Sequence, residues 1–198
     1  AAIDEAAAVL EEVARDIERE PELGFKEHKT AAKVERYLMS LGLRPETGLA
    51  LTGVKARAKG GQPGPTVAIL SELDAVGTPD SPKADPLTGA AHTCGHFLQM
   101  ATMLAAATGL MKAGILPEFC GDVVFFAVPA EEYVEIEYRR RLLGEGKLHY
   151  LCGKDELIYK GHFDDVDMAM MMHSQGNMPQ KAVAIGQSSN GFLVKLVR

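Results

Sequence analysis

Two helical patterns open the chain. The first has apolar residues at helical spacing among Glu and Arg residues, which predicts an amphipathic helix that ends before Pro21. Its apolar positions are Ile3, Leu10, Val13 and Ile17. The second helix is predicted to begin near Thr30, as its capping residue, and to stop at Gly42. Both apolar stripes indicate packing against a core rather than chemistry.

From residue 54 the pattern becomes that of strands. Val54, Ala56 and Ala58 alternate with polar neighbours, and a turn rich in Gly and Pro at 59–64 leads into the apolar run 66–70. These features predict a hairpin or two adjacent strands, the second of which is buried on both faces.

Strands and helices then alternate along the chain. The apolar runs 123–128 and 166–172 predict two more strands, and helices are predicted at 97–111 and 135–143. The methionines of the last run are predicted to pack in the core, and they are Met168, Met170, Met171 and Met172. The alternation predicts an α/β fold with a largely central sheet.

Charge and composition limit the partners and the compartment. A net charge of −6, with no stripe of Lys and Arg, argues against a nucleic-acid partner. The longest apolar stretch, 97–111, is too short to span a membrane and contains Gln99, and the acidic N-terminus is unlike an export signal. The cysteines at 94, 120 and 152 form no CxxC pair, which favours a reducing compartment, so a cytoplasmic location is expected.

The segment His92-Thr93-Cys94-Gly95-His96 places one thiol and two imidazoles within five residues. Thiolate and neutral imidazole are ligands that zinc and similar divalent ions accept. Gly95 gives the backbone the freedom to turn Cys94 and His96 towards one centre. The segment therefore predicts part of a metal site.

The remaining ligands must come from elsewhere in the chain, and the candidates are Glu131, Glu132 and His173. The two glutamates follow the strand predicted at 123–128, and His173 follows the run ending at 172. In open α/β sheets, ligands bind beyond the carboxyl ends of the strands. Convergence there would leave one carboxylate to spare, and a carboxylate beside metal ions can act as a general base.

Each candidate also has a purely structural interpretation. Cys94 could be a small buried apolar residue, the two glutamates a solvated surface, and His173 a hydrogen-bonded strand end. His92 is interpreted equally well as a group that orients a ligand or as a hydrogen-bonded loop residue. No role is assigned to the surface histidines His28, His149 and His162, or to Cys120 and Cys152.

Five motifs occur in the order seen in the M20 metallopeptidase family, and they resemble most closely its amidohydrolase branch. They are Pro21-Glu22-Leu23-Gly24-Phe25, Glu72-Leu73-Asp74-Ala75, His92 to His96, Pro129-Ala130-Glu131-Glu132 and the strand-ending His173. This branch includes N-acyl-amino-acid, auxin-conjugate, hippurate and aminobenzoyl-glutamate hydrolases.

The resemblance implies a three-layer catalytic domain like that of zinc exopeptidases, with a central, mostly parallel mixed sheet. It implies two divalent ions, which could be zinc, manganese, cobalt or nickel. Their implied ligands are Cys94, His96, Glu132 and His173. Glu131 is implied as the catalytic base. Asp74 is implied as a residue that supports the ligands without binding metal, and His92 is a second candidate for that role.

The chain departs from the family pattern in two ways. Family members commonly have Ala at Thr93 and Asp or Asn at Phe97, so the surroundings of the metals here are more apolar. Members are also roughly twice as long, because a smaller lid or dimerisation domain is inserted before the last histidine ligand. Residues 1–181 are therefore expected to form the N-terminal part of the catalytic domain, and 182–198 the start of an α+β lid domain through which a homodimer would form.

Three functions are compatible with these observations. The first is a two-metal hydrolase that cleaves the amide bond of an N-acyl or N-aminoacyl amino acid. The second is a thiol hydrolase that uses Cys94 with His96, although residues two apart rarely reach hydrogen-bond geometry. The third is a non-catalytic, truncated or degenerate relative that binds a metal or a partner. The first hypothesis requires a further histidine downstream.

Overall fold

The computed structural model describes residues 2–174. Within this range the helices are α1 (Ala2–Arg19), α2 (His28–Ser40), α3 (His96–Ala113), α4 (Ile136–Gly144) and α5 (Gly153–Tyr159), with a 3-10 turn at Leu116–Glu118. The strands are β1 (Glu46–Leu49), β2 (Gly53–Ala58), β3 (Gln62–Glu72), β4 (Val76–Gly77), β5 (Ala90–Ala91), β6 (Cys120–Val128) and β7 (Met168–Met171). The expected lid segment 182–198 lies outside the described residues.

The main sheet has the strand order β1-β2-β6-β3-β7. β3 runs parallel to both β6 and β7, whereas β2 is antiparallel to β6 and β1 is antiparallel to β2. The parallel strands end at nearly the same height, since Glu72 pairs with Val128 and Leu70 pairs with Met171. The predicted α/β fold with a central mixed sheet is confirmed.

Adjacent residues of β6 face opposite sides of the sheet, and this alternation builds the three layers. Phe125 packs with α1, α2 and α3 in one apolar core, and Phe126 packs with α4 and α5 in another. Both phenylalanines are fully buried. A helical layer therefore covers each face of the sheet, which confirms the three-layer arrangement.

The predicted hairpin is wrong, because β6 lies between β2 and β3. The glycine-rich segment 59–64 is not a turn between paired strands. It lies against the 3-10 turn at Leu116–Glu118. Gly61 donates its N–H to the carbonyl of Leu116 at 3.0 Å, and a Cβ at Gly61 would lie 1.9 Å from the carbonyl oxygen of Pro117. Glycine is required there for close backbone approach, a use that resembles a turn signal in the sequence.

The prediction that the methionines of β7 are core residues is also wrong for the described part of the chain. Met168, Met170 and Met171 are 53%, 60% and 45% exposed, and Met172 after them is 50% exposed. Among residues 2–174, β7 is the last strand of the sheet and pairs only with β3. An apolar run by itself does not show whether a strand is the last of a sheet or lies inside it.

Both N-terminal helices are confirmed, but the cap of α2 differs from the prediction. The helix begins at His28, and Thr30 lies within its first turn. The Glu22 carboxylate accepts hydrogen bonds from the backbone N–H groups of Lys29 at 3.1 Å and Thr30 at 2.8 Å. An anionic group suits a helix N-terminus, where free N–H groups and the helix dipole favour negative charge. α2 ends as predicted, with Gly42 in the left-handed conformation just beyond it.

None of the helices within residues 2–174 combines the length and the apolar character needed to cross a bilayer.

Candidate metal centre

The carboxyl ends of the parallel strands bring distant residues of the chain together. Glu72 ends β3, Glu131 and Glu132 follow β6, and His173 follows β7. Cys94 and His96 reach the same edge at the start of α3. The parallel register places these strand ends side by side, so the structure brings the predicted residues to one edge of the sheet.

Gly95 forms the turn between the thiol and the imidazole of the His-Thr-Cys-Gly-His segment. Its φ is +98°, a conformation that favours glycine. A Cβ at this position would also lie 2.2 Å from the hydroxyl oxygen of Ser174. Glycine therefore allows Cys94 and His96 to face one centre and allows the chain after β7 to approach them.

His96 is oriented by its contacts with the chain. Its Nδ1 lies 2.8 Å from the Asp74 carbonyl oxygen, which accepts the Nδ1–H hydrogen bond. The Nε2 atom is 3.0 Å from Glu72 Oε2 and 3.9 Å from Glu132 Oε1, but it is buried without a hydrogen-bond partner. An Nδ1–H held by a carbonyl leaves Nε2 as the lone-pair donor, which is the usual arrangement of a metal-binding histidine.

The carboxylates around His96 create a strong demand for positive charge. Burial alone would lower the pKa of His96, but the carboxylates of Asp74 and Glu72 beside its ring outweigh it and raise that pKa to about 10. Conversely, burial raises the pKa of Glu72, yet His96 and Lys154 together bring it down to about 2. A cation at Nε2 is therefore favoured at this position, whether it is a proton or a metal ion.

Cys94 and His173 complete one group of donor atoms. Cys94 Sγ lies 3.3 Å from His173 Nε2, and the donor atoms of Cys94, His96 and His173 all lie within 4.8 Å of one another. Burial and then the hydrogen bond to Glu132 raise the pKa of the Cys94 thiol to about 12. The thiol is therefore neutral at pH 7 unless a bound metal ion stabilises the thiolate.

A second group of donor atoms shares His96 with the first. It consists of Glu72, His96 and Glu131, whose donor atoms also lie within 4.8 Å of one another. Glu131 is half-buried, and burial followed by the charge of Glu72 raises the pKa of its carboxyl. The thiolate, imidazole and carboxylate set matches the ligands of zinc and similar divalent ions, and the unpartnered Nε2 of His96 needs such a partner. The residues present therefore fit divalent metal.

Asp74 links the two parts of the site. It is completely buried, and its Oδ2 accepts a hydrogen bond from the backbone N–H of Glu132 at 2.9 Å. Oδ1 lies 3.5 Å from His96 Nδ1. Asp74 therefore contacts both the imidazole of His96 and the turn Ala130–Glu132, hereafter the glutamate turn. It belongs to neither donor group.

His92 belongs to neither donor group either. Its ring packs against Phe97 with the centroids 5.8 Å apart, and neither ring nitrogen has a hydrogen-bond partner. Burial and then the neighbouring charge of His96 lower the pKa of His92 to about 4, so the ring is neutral. The prediction that it acts near the ligands stays a prediction.

The sequence interpretation missed Glu72 and the residues around it. Glu72 is 2% exposed and lies in an ion pair with Lys154. Two hydrogen bonds join Gln99 to Glu72. The side-chain N–H of Gln99 donates to the Glu72 carboxylate at 3.1 Å, and the backbone N–H of Glu72 donates to the side-chain oxygen of Gln99 at 2.6 Å. The position of Glu72 at the end of a predicted strand and two residues before Asp74 was an available signal. Lys154, about 80 residues later in a polar segment, carried none.

The assignments of the other histidines and cysteines agree with the structure in part. His28 and His149 are exposed, but His149 Nδ1 lies 3.2 Å from a carboxylate oxygen of the buried Glu156. His162 is half-buried. Cys120 is exposed and Cys152 is half-buried, and both are free thiols.

The chain has sequence relatives in other organisms. YhaA of Bacillus subtilis, which is named as an amidohydrolase, is 38% identical over 125 residues, covering 62% of this chain and 31% of that protein. Thermostable carboxypeptidase 2 of Saccharolobus solfataricus is 30% identical over 177 residues, covering 87% of this chain and 41% of that protein. No protein-family model matches the chain.

A solved structure extends the likeness to three dimensions. The Bacillus subtilis YxeP protein, described as a dinuclear metal-binding peptidase from the M20 family, is 28% identical and superposes with a TM-score of 0.69. The match covers 87% of this chain and 44% of that one. Fold and site thus define an α/β chain with a candidate centre for divalent metal. Together with the sequence relatives, they confirm the resemblance to the M20 family, and these relatives include a protein named as an amidohydrolase. It spans less than half the length of these relatives.

Proposed function

We propose that the full-length protein is a metal-dependent hydrolase that cleaves the amide bond of N-acyl or N-aminoacyl amino acids. The observation that carries this proposal is the pair of donor groups that share His96 at the carboxyl edge of the sheet. The names of the relatives, amidohydrolase and carboxypeptidase, support an amide bond as the bond that is cut. A homodimer formed through the segment beyond residue 181, in the cytoplasm, is part of the same proposal.

The proposed division of roles is the one that the resemblance to the M20 family implies. The proposed ligands of two divalent ions are Cys94, His96, Glu132 and His173, and a further histidine from the longer protein would complete the set. Bound divalent ions would lower the pKa of a water molecule and polarise the scissile carbonyl. Asp74 holds the imidazole of His96 and the backbone of Glu132 in place.

Glu131 is proposed as the general base. Its carboxyl group lies against Glu72 and His96, and burial raises its pKa above the usual range. A carboxylate with a raised pKa is a better proton acceptor at neutral pH. Glu131 would take a proton from the attacking water and then deliver it to the nitrogen of the departing amine.

Variants at these residues test the division of roles. Glu131→Gln should keep its metal and lose about two to four orders of magnitude in kcat, because Gln cannot accept the proton. Cys94→Ser and His96→Ala should lose metal, because each removes a donor atom. Elemental mass spectrometry after gel filtration gives the metal per chain, and hydrolysis of a panel of N-acyl amino acids gives the rates. Equal metal loss in all three variants would contradict the assignment of Glu131 as base.

The thiol hydrolase is the weaker alternative. Cys94 Sγ contacts His173 Nε2 rather than His96, so the hydrogen-bonded pair that this alternative requires is not seen in the described residues. The pKa of the thiol is raised to about 12, chiefly by burial, which leaves little thiolate nucleophile at pH 7. Activity that survives complete removal of metal by a chelator and is abolished by a thiol alkylator would favour it. Metal binding without hydrolysis of any acyl amino acid would favour the non-catalytic alternative.

A further inference from the structure

The turn that carries Glu131 and Glu132 has a strained backbone. Ala130, immediately before them, is completely buried and has φ of +53°. A residue with a Cβ in this left-handed region costs about 1 kcal/mol or more, so surrounding contacts must hold it there. These contacts lie on the peptide groups on both sides of Ala130.

Glu27 holds the N-terminal side of the turn. It is completely buried, and its Oε1 accepts the backbone N–H of Ala130 at 2.8 Å. Its Oε2 accepts the hydroxyl of Thr52 at 2.6 Å. Glu27 comes from the segment before α2, about 100 residues away in the chain, so this contact is tertiary rather than local.

Arg139 holds the C-terminal side of the turn. It is completely buried in α4, and its Nη1 donates to the carbonyl oxygens of Ala130 at 3.3 Å and Leu151 at 2.8 Å. Its Nη2 donates to the carbonyl oxygen of Glu132. One planar guanidinium group therefore bridges two carbonyls of the turn and one of a neighbouring segment, a geometry that a lysine ammonium cannot reproduce.

The segment before α2 is shaped to admit this guanidinium group. A Cβ at Gly24 would lie 2.3 Å from Arg139 Nη2 and 2.9 Å from the Cα of Ala130. The Arg139 Cζ lies 5.3 Å from the ring centroid of Phe25 and 5.9 Å from that of Tyr133. Both distances are within the range of cation–π attraction.

The burial of Arg139 is costly in itself. Among the described residues no carboxylate forms an ion pair with it, and its Nε has no hydrogen-bond partner. Removing a charged group from water costs several kcal/mol unless its donors are satisfied, and here carbonyl oxygens satisfy only some of them. An apolar side chain would fill the same space at lower cost, so the contacts with the turn are the distinctive contribution of Arg139.

We infer that Arg139 and Glu27 are positioning residues that fix the Ala130–Glu132 backbone and thereby aim the carboxylates of Glu131 and Glu132 at the metal centre. This inference rests on the proposed roles of these two glutamates. Neither positioning residue touches a reacting atom. Together with Asp74, which accepts the Glu132 N–H, they bind the turn through four of its backbone polar groups.

Metal affinity of the full-length protein tests this inference independently of hydrolysis. Competition with a chromogenic chelator gives the dissociation constant for Zn²⁺, and the visible spectrum of the Co²⁺-loaded protein reports the ligand geometry. Arg139→Met and Glu27→Ala should each weaken Zn²⁺ binding about 10- to 100-fold and alter the Co²⁺ spectrum, as is usual when groups that orient metal ligands are lost. Glu27→Gln should rescue binding, because its amide oxygen can accept the Ala130 N–H and its NH₂ can donate to Thr52.

Arg140→Met is the matched control, since Arg140 lies on the same helix but is 41% exposed and pairs only with Glu137 among the described residues. Its Zn²⁺ affinity should stay within about twofold of wild type. A folded Arg139→Met protein with wild-type affinity and an unchanged Co²⁺ spectrum would overturn the inference. If Arg139→Met does not fold, the Glu27 variants decide: loss in Glu27→Ala with rescue by Glu27→Gln supports the inference, and wild-type affinity in Glu27→Ala overturns it.

The two proposals fail in different ways. If the wild-type protein binds Zn²⁺ but hydrolyses no acyl amino acid, the proposed function fails while the affinities still test the positioning role. If the wild type hydrolyses its substrate and the Arg139 and Glu27 variants keep wild-type metal affinity, the positioning role alone fails.

Discussion

Glu27 is a carboxyl group that is isolated from water beside the glutamate turn. It has no exposed surface and lies between Thr52 and the backbone of Ala130. Burial, and then the negative charge of Asp74, raises the pKa of Glu27 to about 7. Since the Thr52 hydroxyl can either donate or accept, the neutral and the charged forms both keep their hydrogen bonds.

This raised pKa predicts how stability changes with pH. Because the pKa of Glu27 is about 7 in the folded protein and about 4.5 in the unfolded chain, folding favours the protonated form. Its contribution is fully present below pH 4.5 and is lost as the pH rises to 7, by about 3 kcal/mol in total. Glu27→Gln does not titrate, so its stability advantage over wild type should grow across this window. Urea unfolding at pH 4.5, 6 and 8 measures the difference.

An exposed carboxylate supplies the control for this titration. Glu137 is 78% exposed on its side chain, so Glu137→Gln should change stability by less than about 0.5 kcal/mol at each pH. A constant difference between Glu27→Gln and wild type from pH 4.5 to 8 would show that the Glu27 pKa is not raised in the folded protein.

At the scale of elements, α5 packs directly on the end of β6. Gly153 begins α5, and a Cβ there would lie 1.8 Å from the carbonyl oxygen of Pro129, just before the glutamate turn. Gly153→Ala should therefore push α5 away from the turn and destabilise the protein by about 1 to 3 kcal/mol or more. Thermal unfolding measures this loss.

Gly144→Ala is the matched control. Gly144 ends α4. Apart from the two adjacent residues and the backbone of its own helix, an added Cβ there would have no atom within 4 Å. Alanine favours helix over glycine, so this variant should be neutral or more stable by up to about 1 kcal/mol. Equal effects of the two substitutions would mean that the contact with Pro129 does not constrain α5.

The sequence predicted the helices and strands better than it predicted which strands pair with one another. The pattern of apolar runs identified α3 and β6, because much of each element packs in the core. It could not show that β6 separates β2 from β3, since strand order is set by long-range pairing rather than by local pattern. It also misassigned the start of α2, because the cap comes from Glu22, six residues before the helix begins.

The candidate site was predictable where several possible metal ligands lie close together in the sequence. Cys94 and His96 form a recognisable cluster, and the family order supplied Glu132 and His173. Lys154 could not have been found in this way, because only folding brings its ammonium group to Glu72. Arg139 was equally hidden, since a basic residue in a charged helix reads as surface until its burial is known.

At the scale of the whole molecule, the proposed ligands come from three separate segments of the chain. Metal bound at this edge would join the start of α3 to the segments after β6 and β7, so it should stabilise the folded state. At a free Zn²⁺ concentration about 100 times the dissociation constant, the gain is about 2.7 kcal/mol. Chelation should lower the unfolding temperature, and added Zn²⁺ should restore it.

His96→Ala provides the reference for this experiment. Because it lacks the donor shared by both groups, its unfolding temperature should respond much less to Zn²⁺ than that of wild type. An unfolding temperature that is the same in wild type with chelator and with Zn²⁺ would contradict metal binding at this edge.

The positions of the proposed ligands along the chain also set the order in which the centre can form during synthesis. Cys94 and His96 leave the ribosome well before the glutamate turn, and β7 with His173 follows only about 80 residues after them. Contacts that close such long segments form late, because chain entropy is lost before the contacts compensate for it. The Cys94 thiol therefore cannot pair with His173 until that residue has been translated, so we expect metal loading late in folding rather than at its beginning.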